Sequence, residues 1–157
     1  RFTAPEARIL VVDDNQMNRF VFQGLLKYLQ VQVTLAESGK ECLNAIAAGH
    51  FDLIFMDHLM PELDGIETLH IMKKRSGHLC TDSKVIAVTA NAYPGARDVY
   101  LKEGFDDFLE KPVEGKQLEA IIYQYLPKNL IRFADENIEN IRKETGISYK
   151  AKAAAGH

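Results

Sequence analysis

Residues 51–57 read FDLIFMD, an apolar run that stops on Asp57. Three further runs share its form. ILVVDD (9–14) stops on Asp13 and Asp14, KVIAVTA (84–90) carries Thr89 near its end, and FDDFLEKP (105–112) reaches Lys111 before a proline. Short, continuous apolar runs of this kind suit strands covered by helices on both faces. With residues 31–36 they predict strands at about 8–13, 31–36, 52–57, 84–89 and 106–109, the last at a sheet edge.

Helical patterns fill the gaps. In the first, Met17, Val21, Gly24, Leu25 and Tyr28 recur at helical spacing. The second opens with Ser38-Gly39-Lys40-Glu41, a capping-box spacing, and continues with Leu43, Ile46 and Ala47. The third has Asp64 as N-cap with Glu67 three residues on, and its last turn, Lys73-Lys74-Arg75, suits the negative end of the helix dipole. A fourth is expected from about Pro94 to Glu103, closed by Gly104; a fifth carries Leu118, Ile121, Ile122, Tyr125 and Leu126 and stops at Pro127. Alternating strands and helices with right-handed crossovers give an α/β fold with a parallel sheet. The expectation is a flavodoxin-like (βα)5 three-layer sandwich, five strands in the order 2-1-3-4-5, with a C-terminal extension.

The totals narrow the function. With 157 residues the chain supports one domain and little more. A net charge of −3 gives no basic field for direct nucleic-acid binding, and no polybasic run suggests membrane contact. No signal peptide is present, and no apolar stretch approaches the ~18 residues of a membrane span. Cys42 and Cys80 lack metal-ligand spacing and read as reduced thiols, which points to the cytoplasm.

In a parallel sheet the carboxyl ends of the strands lie side by side, and ligands bind at that edge. The fold therefore gathers Asp13, Asp14, Asp57, Thr89 and Lys111. Crowded carboxylates repel and hold protons unless a cation joins them. The pattern reads as a Mg²⁺ cradle around one acidic nucleophile. A carboxylate can attack phosphorus to give an acyl phosphate, with a metal, a cation and a hydroxyl around the non-bridging oxygens. The bland alternatives are a helix N-cap and a solvated carboxylate for Asp13 and Asp14, a surface lysine for Lys111 and a commonplace strand-end residue for Thr89. Lys111-Pro112 directly after a strand is more pointed, because the proline fixes the local backbone. His58 follows Asp57 but faces the opposite way, so it reads as a local-contact residue rather than a base. His50, His70 and His78 read as helix-end or surface residues. No Gly-rich phosphate loop follows the first strand, which argues against flavin or dinucleotide binding.

VVDDN (11–15), FMDHLMPELDG (55–65), VTANA (88–92) and the KP dipeptide (111–112) stand in the order of the receiver (response regulator) domain of two-component signalling, which the chain resembles over about residues 8–127. The resemblance implies that Asp57 is the phosphoacceptor, served by a histidine kinase or a histidine phosphotransfer domain. It implies Mg²⁺ held by Asp14 directly, Asp13 largely through water, Asp57 and the Leu59 carbonyl. Thr89, Lys111 and the Ala90 backbone N–H would hold the phosphate. Phe108 stands where the family keeps its switch aromatic; with Thr89 it would remodel the face of the fourth helix, fifth strand and fifth helix, and so signal to a downstream partner or attached domain. Leu59 and Asn91 occupy positions that tune dephosphorylation. The VTANA wording is closer to receivers attached to hybrid sensor histidine kinases, whose parent chain would be membrane-anchored. Homodimerisation stays open.

The resulting division is an N-terminal linker over 1–7, a receiver domain over 8–127, an extension or linker helix over 128–152, in which Ala134 to Thr145 is expected as a polar helix with Ile138 and Ile141 as its apolar face, and a tail of artificial origin over 153–157. Two other functions compete. A metal-dependent phosphohydrolase would want a second carboxylate two residues from the nucleophile, where this chain has Leu59. A phosphorylation-independent interaction module would leave the acidic pocket unused.

Overall fold

A computed structural model describes residues 1–133 and residue 146. Seven strands and five α-helices follow in the order β1 (Phe2–Thr3), β2 (Arg8–Val12), α1 (Gln16–Leu26), β3 (Gln32–Ala36), α2 (Gly39–Ala48), β4 (Leu53–Asp57), α3 (Gly65–Lys74), β5 (Lys84–Thr89), α4 (Ala96–Glu103), β6 (Asp107–Glu110), α5 (Gly115–Tyr125) and β7 (Arg132–Phe133). Five strands form one sheet in the order β3-β2-β4-β5-β6, all parallel. Counted within that sheet the order is 2-1-3-4-5, the flavodoxin-like arrangement.

Alternation along the strands builds two separate cores. Ile9, Val11, Leu53, Phe55, Ile86 and Val88 pack with Phe22 and Leu26 of α1 and Leu118 and Ile122 of α5. Their neighbours Leu10, Val12, Ile54, Met56, Val85 and Ala87 pack with Leu43 and Ile46 of α2, Leu69 and Met72 of α3, and Tyr100 of α4. Burial on both faces is why these strands read as unbroken apolar runs. Each fully buried large aliphatic or aromatic side chain contributes about 1.5–3 kcal/mol.

Local signals fix the helix starts. Asp64 and Glu67 form a complete capping box, with bonds of 2.8 and 3.0 Å to each other's backbone N–H. Ser38 Oγ accepts from the Glu41 N–H, but the Glu41 carboxylate reaches the Glu37 N–H, one residue before the cap. The fourth helix starts at Ala96 rather than Pro94, because Gly95 caps it with a left-handed φ of 89°.

Two expectations change. In α1 and the 3-10 turn that follows it, the apolar stripe Met17, Val21 and Tyr28 faces solvent with Phe20, while Phe22 and Leu26 are buried. The helix carries apolar residues on two faces, so periodicity alone does not say which one meets the sheet. Residues 1–7 also differ from the linker expected there. Phe2–Thr3 pairs antiparallel with Arg132–Phe133, and Phe2, Ala4, Ala7 and Ile131 are buried in the α1/α5 core. The helix expected from Ala134 to Thr145, and the rest of the extension to 152 and tail over 153–157 apart from residue 146, lie outside the described residues.

Candidate functional site

Register aligns the strand ends. Val12 stands opposite Met56, Asp57 opposite Val88, and Thr89 opposite Glu110, so Asp13, Asp57, Thr89 and Lys111 emerge along one edge. Asp57 is the last residue of β4 and is buried; Asp13 is buried directly after β2, and Asp14 beside it is exposed. Carboxylate oxygens of Asp13, Asp14 and Asp57 all lie within 4.8 Å of one another. Among the described residues this is the one group of three or more His, Cys, Asp or Glu side chains that converge closely enough to hold a metal ion.

Each wall of the site has a local cause. Asn15 caps α1 by accepting from the Asn18 N–H, and its own N–H donates to Asp13 Oδ1 at 2.9 Å. Arg19 Nη1 donates to the Asp13 carbonyl at 2.7 Å. The loop after β4 folds back through Gly65, whose N–H donates to the His58 carbonyl at 2.7 Å. A Cβ on Gly65 would lie 2.2 Å from the Asp57 carbonyl oxygen, so only glycine allows this closure. The Lys111-Pro112 peptide is cis, and the Lys111 N–H donates to the Thr89 carbonyl at 2.8 Å.

Lys111 Nζ lies 3.0 Å from Asp57 Oδ1 and 3.0 Å from Asp13 Oδ2. Burial, and then the charge of Asp13, pushes the Asp57 carboxyl up to about 6, although Lys111 pulls it down. Burial opposes the charge on Lys111, but its bonds to Asp13 and Asp57 outweigh this and raise its pKa. One ammonium therefore does not satisfy the acidic cluster. A hard divalent cation fits the remaining demand: three carboxylates converge on one point, and Asp14 leaves the edge open.

The other expected residues take distinct positions. Thr89 is buried at the end of β5, where its hydroxyl accepts from the Asn91 N–H at 3.1 Å. Ala90 is exposed next to it, and Leu59 is exposed in the loop after Asp57. Phe108 on β6 is partly buried, its ring stacked on Tyr100. Sequence reasoning passed over Tyr100, which looks like an ordinary apolar helix residue, and over Asn18 and Arg19. The cysteines are free and buried, and burial raises the Cys42 thiol to about 12. No described helix is long and apolar enough to cross a membrane.

Residues 9–123 match the response regulator receiver domain. The chain is 34% identical over 119 residues to the sensor histidine kinase GacS of Pseudomonas protegens, covering 75% of this chain and 13% of that protein. It thus spans only a small part of the curated relatives it matches. Among solved structures, it is similar to the receiver domain of a Pseudomonas aeruginosa sensor histidine kinase with a magnesium ion coordinated in the active-site cleft, at 31% identity and a TM-score of 0.67, covering 76% of this chain and 96% of that one. A second likeness, at 27% identity and a TM-score of 0.69, covers 82% of this chain and 94% of a chain in the Saccharomyces cerevisiae complex of the histidine phosphotransfer protein Ypd1 with the receiver domain of Ssk1.

Proposed function

The chain belongs to the response regulator receiver domain family and is a receiver of phosphorelay signalling, and from that premise we propose that Asp57 is its phosphoacceptor, with Lys111, Thr89 and the Ala90 N–H as phosphate ligands. The observation that carries this reading is the Asp13–Asp14–Asp57 cluster closed by one lysine shared between Asp57 and Asp13. Phosphoryl transfer asks the protein mainly for positioning and charge stabilisation, and this edge offers both.

An Asp57 carboxylate oxygen attacks the phosphorus of a phosphohistidine. The P–N bond breaks, its electron pair returns to the donor imidazole, and an aspartyl phosphate remains. Lys111 leaves the carboxylates for a phosphoryl oxygen, and the Thr89 hydroxyl turns from the Asn91 N–H to another. Asp13, Asp14, Asp57 and the Leu59 carbonyl would hold Mg²⁺, which when bound screens the carboxylates and neutralises charge on the phosphoryl oxygens. Water later attacks phosphorus, the P–O bond to Asp57 breaks, and inorganic phosphate leaves the restored aspartate.

The partner class is a histidine kinase or histidine phosphotransfer domain. Support comes from the relatives above and from the exposed apolar Met17, Phe20 and Val21 on the helix that begins two residues after Asp14. We also propose that the parent protein is a hybrid sensor histidine kinase. A phosphoryl group carrying roughly −1.5 to −2 charge, in place of the single carboxylate charge of Asp57, would bias the face of α4, β6 and α5 toward a second arrangement.

The test is phosphoryl transfer from a labelled, phosphorylated histidine phosphotransfer domain. Label should move once to the wild-type chain, need Mg²⁺, and fail to move to Asp57→Asn. Label on the Asn variant, or steady turnover of phosphate esters, would contradict the reading.

A further inference from the structure

Tyr100 joins His58, the residue directly after Asp57, to the ring at the switch position. Its hydroxyl bonds His58 Nδ1 at 2.8 Å, and its ring meets the His58 imidazole edge-on, with centroids 5.4 Å apart and planes at 89°. The same ring stacks on Phe108 at 5.9 Å and 17°, and takes Phe105 edge-on at 5.8 Å. Tyr100 is buried, so this contact set is specific packing rather than a chance surface encounter.

The His58 end is fixed. Its N–H donates to the Val88 carbonyl at 3.0 Å and its carbonyl accepts from Gly65 at 2.7 Å. The Phe108 end is freer, being partly buried at the sheet's last strand. If Phe108 turns inward when Thr89 moves, it either leaves the Tyr100 face or draws α4 with it. Drawing α4 breaks the bond to His58. Lys111 Nζ bridges Asp57 and Asp13, contacts it would give up to a phosphoryl oxygen. The His58–Tyr100 bond is therefore a feature of the resting arrangement.

We propose that the Tyr100–His58 hydrogen bond is a latch that holds α4 and Phe108 in the resting position, making both residues positioning residues of the switch. The proposal rests on Asp57 being the acceptor and Phe108 the moving ring. One hydrogen bond shifts a two-state ratio roughly three- to tenfold. Because a ligand of the minor state pays for the population of that state, loss of the latch tightens its apparent binding by the same factor.

The experiment titrates the 157-residue chain with beryllofluoride, a phosphoryl mimic, in the presence of Mg²⁺, following the backbone amides of Phe108 and α4 by NMR. Tyr100→Phe keeps the ring and removes the hydroxyl; its half-saturating beryllofluoride concentration should fall roughly three- to tenfold. His58→Phe should do the same, and the double variant should add nothing. A merely structural role would lower the urea midpoint without tightening binding. If Tyr100→Phe does not fold, His58→Phe decides. Unchanged or weaker binding in the folded variants overturns the latch while leaving Asp57 as acceptor. A wild-type chain that does not respond to beryllofluoride overturns both.

Discussion

Lys111 Nζ stands 3.0 Å from Asp57 Oδ1, at the ends of two strands separated in the sheet by β5. The same nitrogen is 3.0 Å from Asp13, so one cation holds two buried carboxylates. Lys111→Met should leave the fold in place, raise the Asp57 pKa further above about 6, and slow phosphorylation by at least about tenfold, the scale of losing one charge-assisted contact. Carboxyl ¹³C titration and phosphorylation rates read both effects. An unchanged Asp57 titration would show that the ion pair is not formed in solution.

The pH dependence of stability follows from the same carboxyl group. Burial first, then Asp13, lifts it to about 6, against ~3.9 for an unperturbed aspartate. Between those values the folded protein keeps a proton that the unfolded chain has lost. Stability from this group is therefore full below about pH 4 and declines as pH rises to about 6. Metal-free Asp57→Asn should gain on wild type across that window, by roughly 1 kcal/mol after solvent screening. Urea unfolding in chelator gives the difference; one that does not change with pH would refute the assignment.

Gly65 permits the loop over the site. A Cβ there would lie 2.2 Å from the Asp57 carbonyl oxygen and 3.1 Å from His58 Cα, both backbone atoms. Gly65→Ala should cost roughly 2 kcal/mol or more and weaken Mg²⁺ binding with it, because Asp57 must shift. Urea midpoints and metal titration test this. Wild-type values in both would mean that the loop closes differently.

The terminal ribbon carries real stability. Phe2 is 4% exposed and its ring lies 5.4 Å from that of Tyr123 on α5. Phe2→Ala should cost roughly 3–5 kcal/mol, as truncation of a buried aromatic does, and a fragment of residues 8–127 should unfold at lower urea than one of residues 1–133. Equal midpoints would show that the ribbon is ornamental.

Most of the sheet was legible because its signal is local and long enough to read. The runs of β2, β4 and β5 lead directly to Asp13, Asp57 and Thr89, and parallel topology alone brings those ends together. The capping box of α3 was legible for the same reason. The β1–β7 ribbon was not, since strands of 2 residues have no periodicity and their partners lie at opposite ends of the chain. The buried face of α1 was obscured because Met17, Phe20 and Val21 are as apolar as Phe22 and Leu26. Tyr100 escaped notice because its importance comes from His58 and Phe108, tertiary neighbours that its own helix does not fix.

The most direct measurement is chemical mapping of the phosphoryl group after treatment with acetyl phosphate and Mg²⁺. One adduct per chain is predicted, stable in cold acid, released by hydroxylamine, located on Asp57, and absent when Mg²⁺ is chelated. No adduct, or an adduct on another side chain that persists in Asp57→Asn, would contradict Asp57 as the phosphoacceptor.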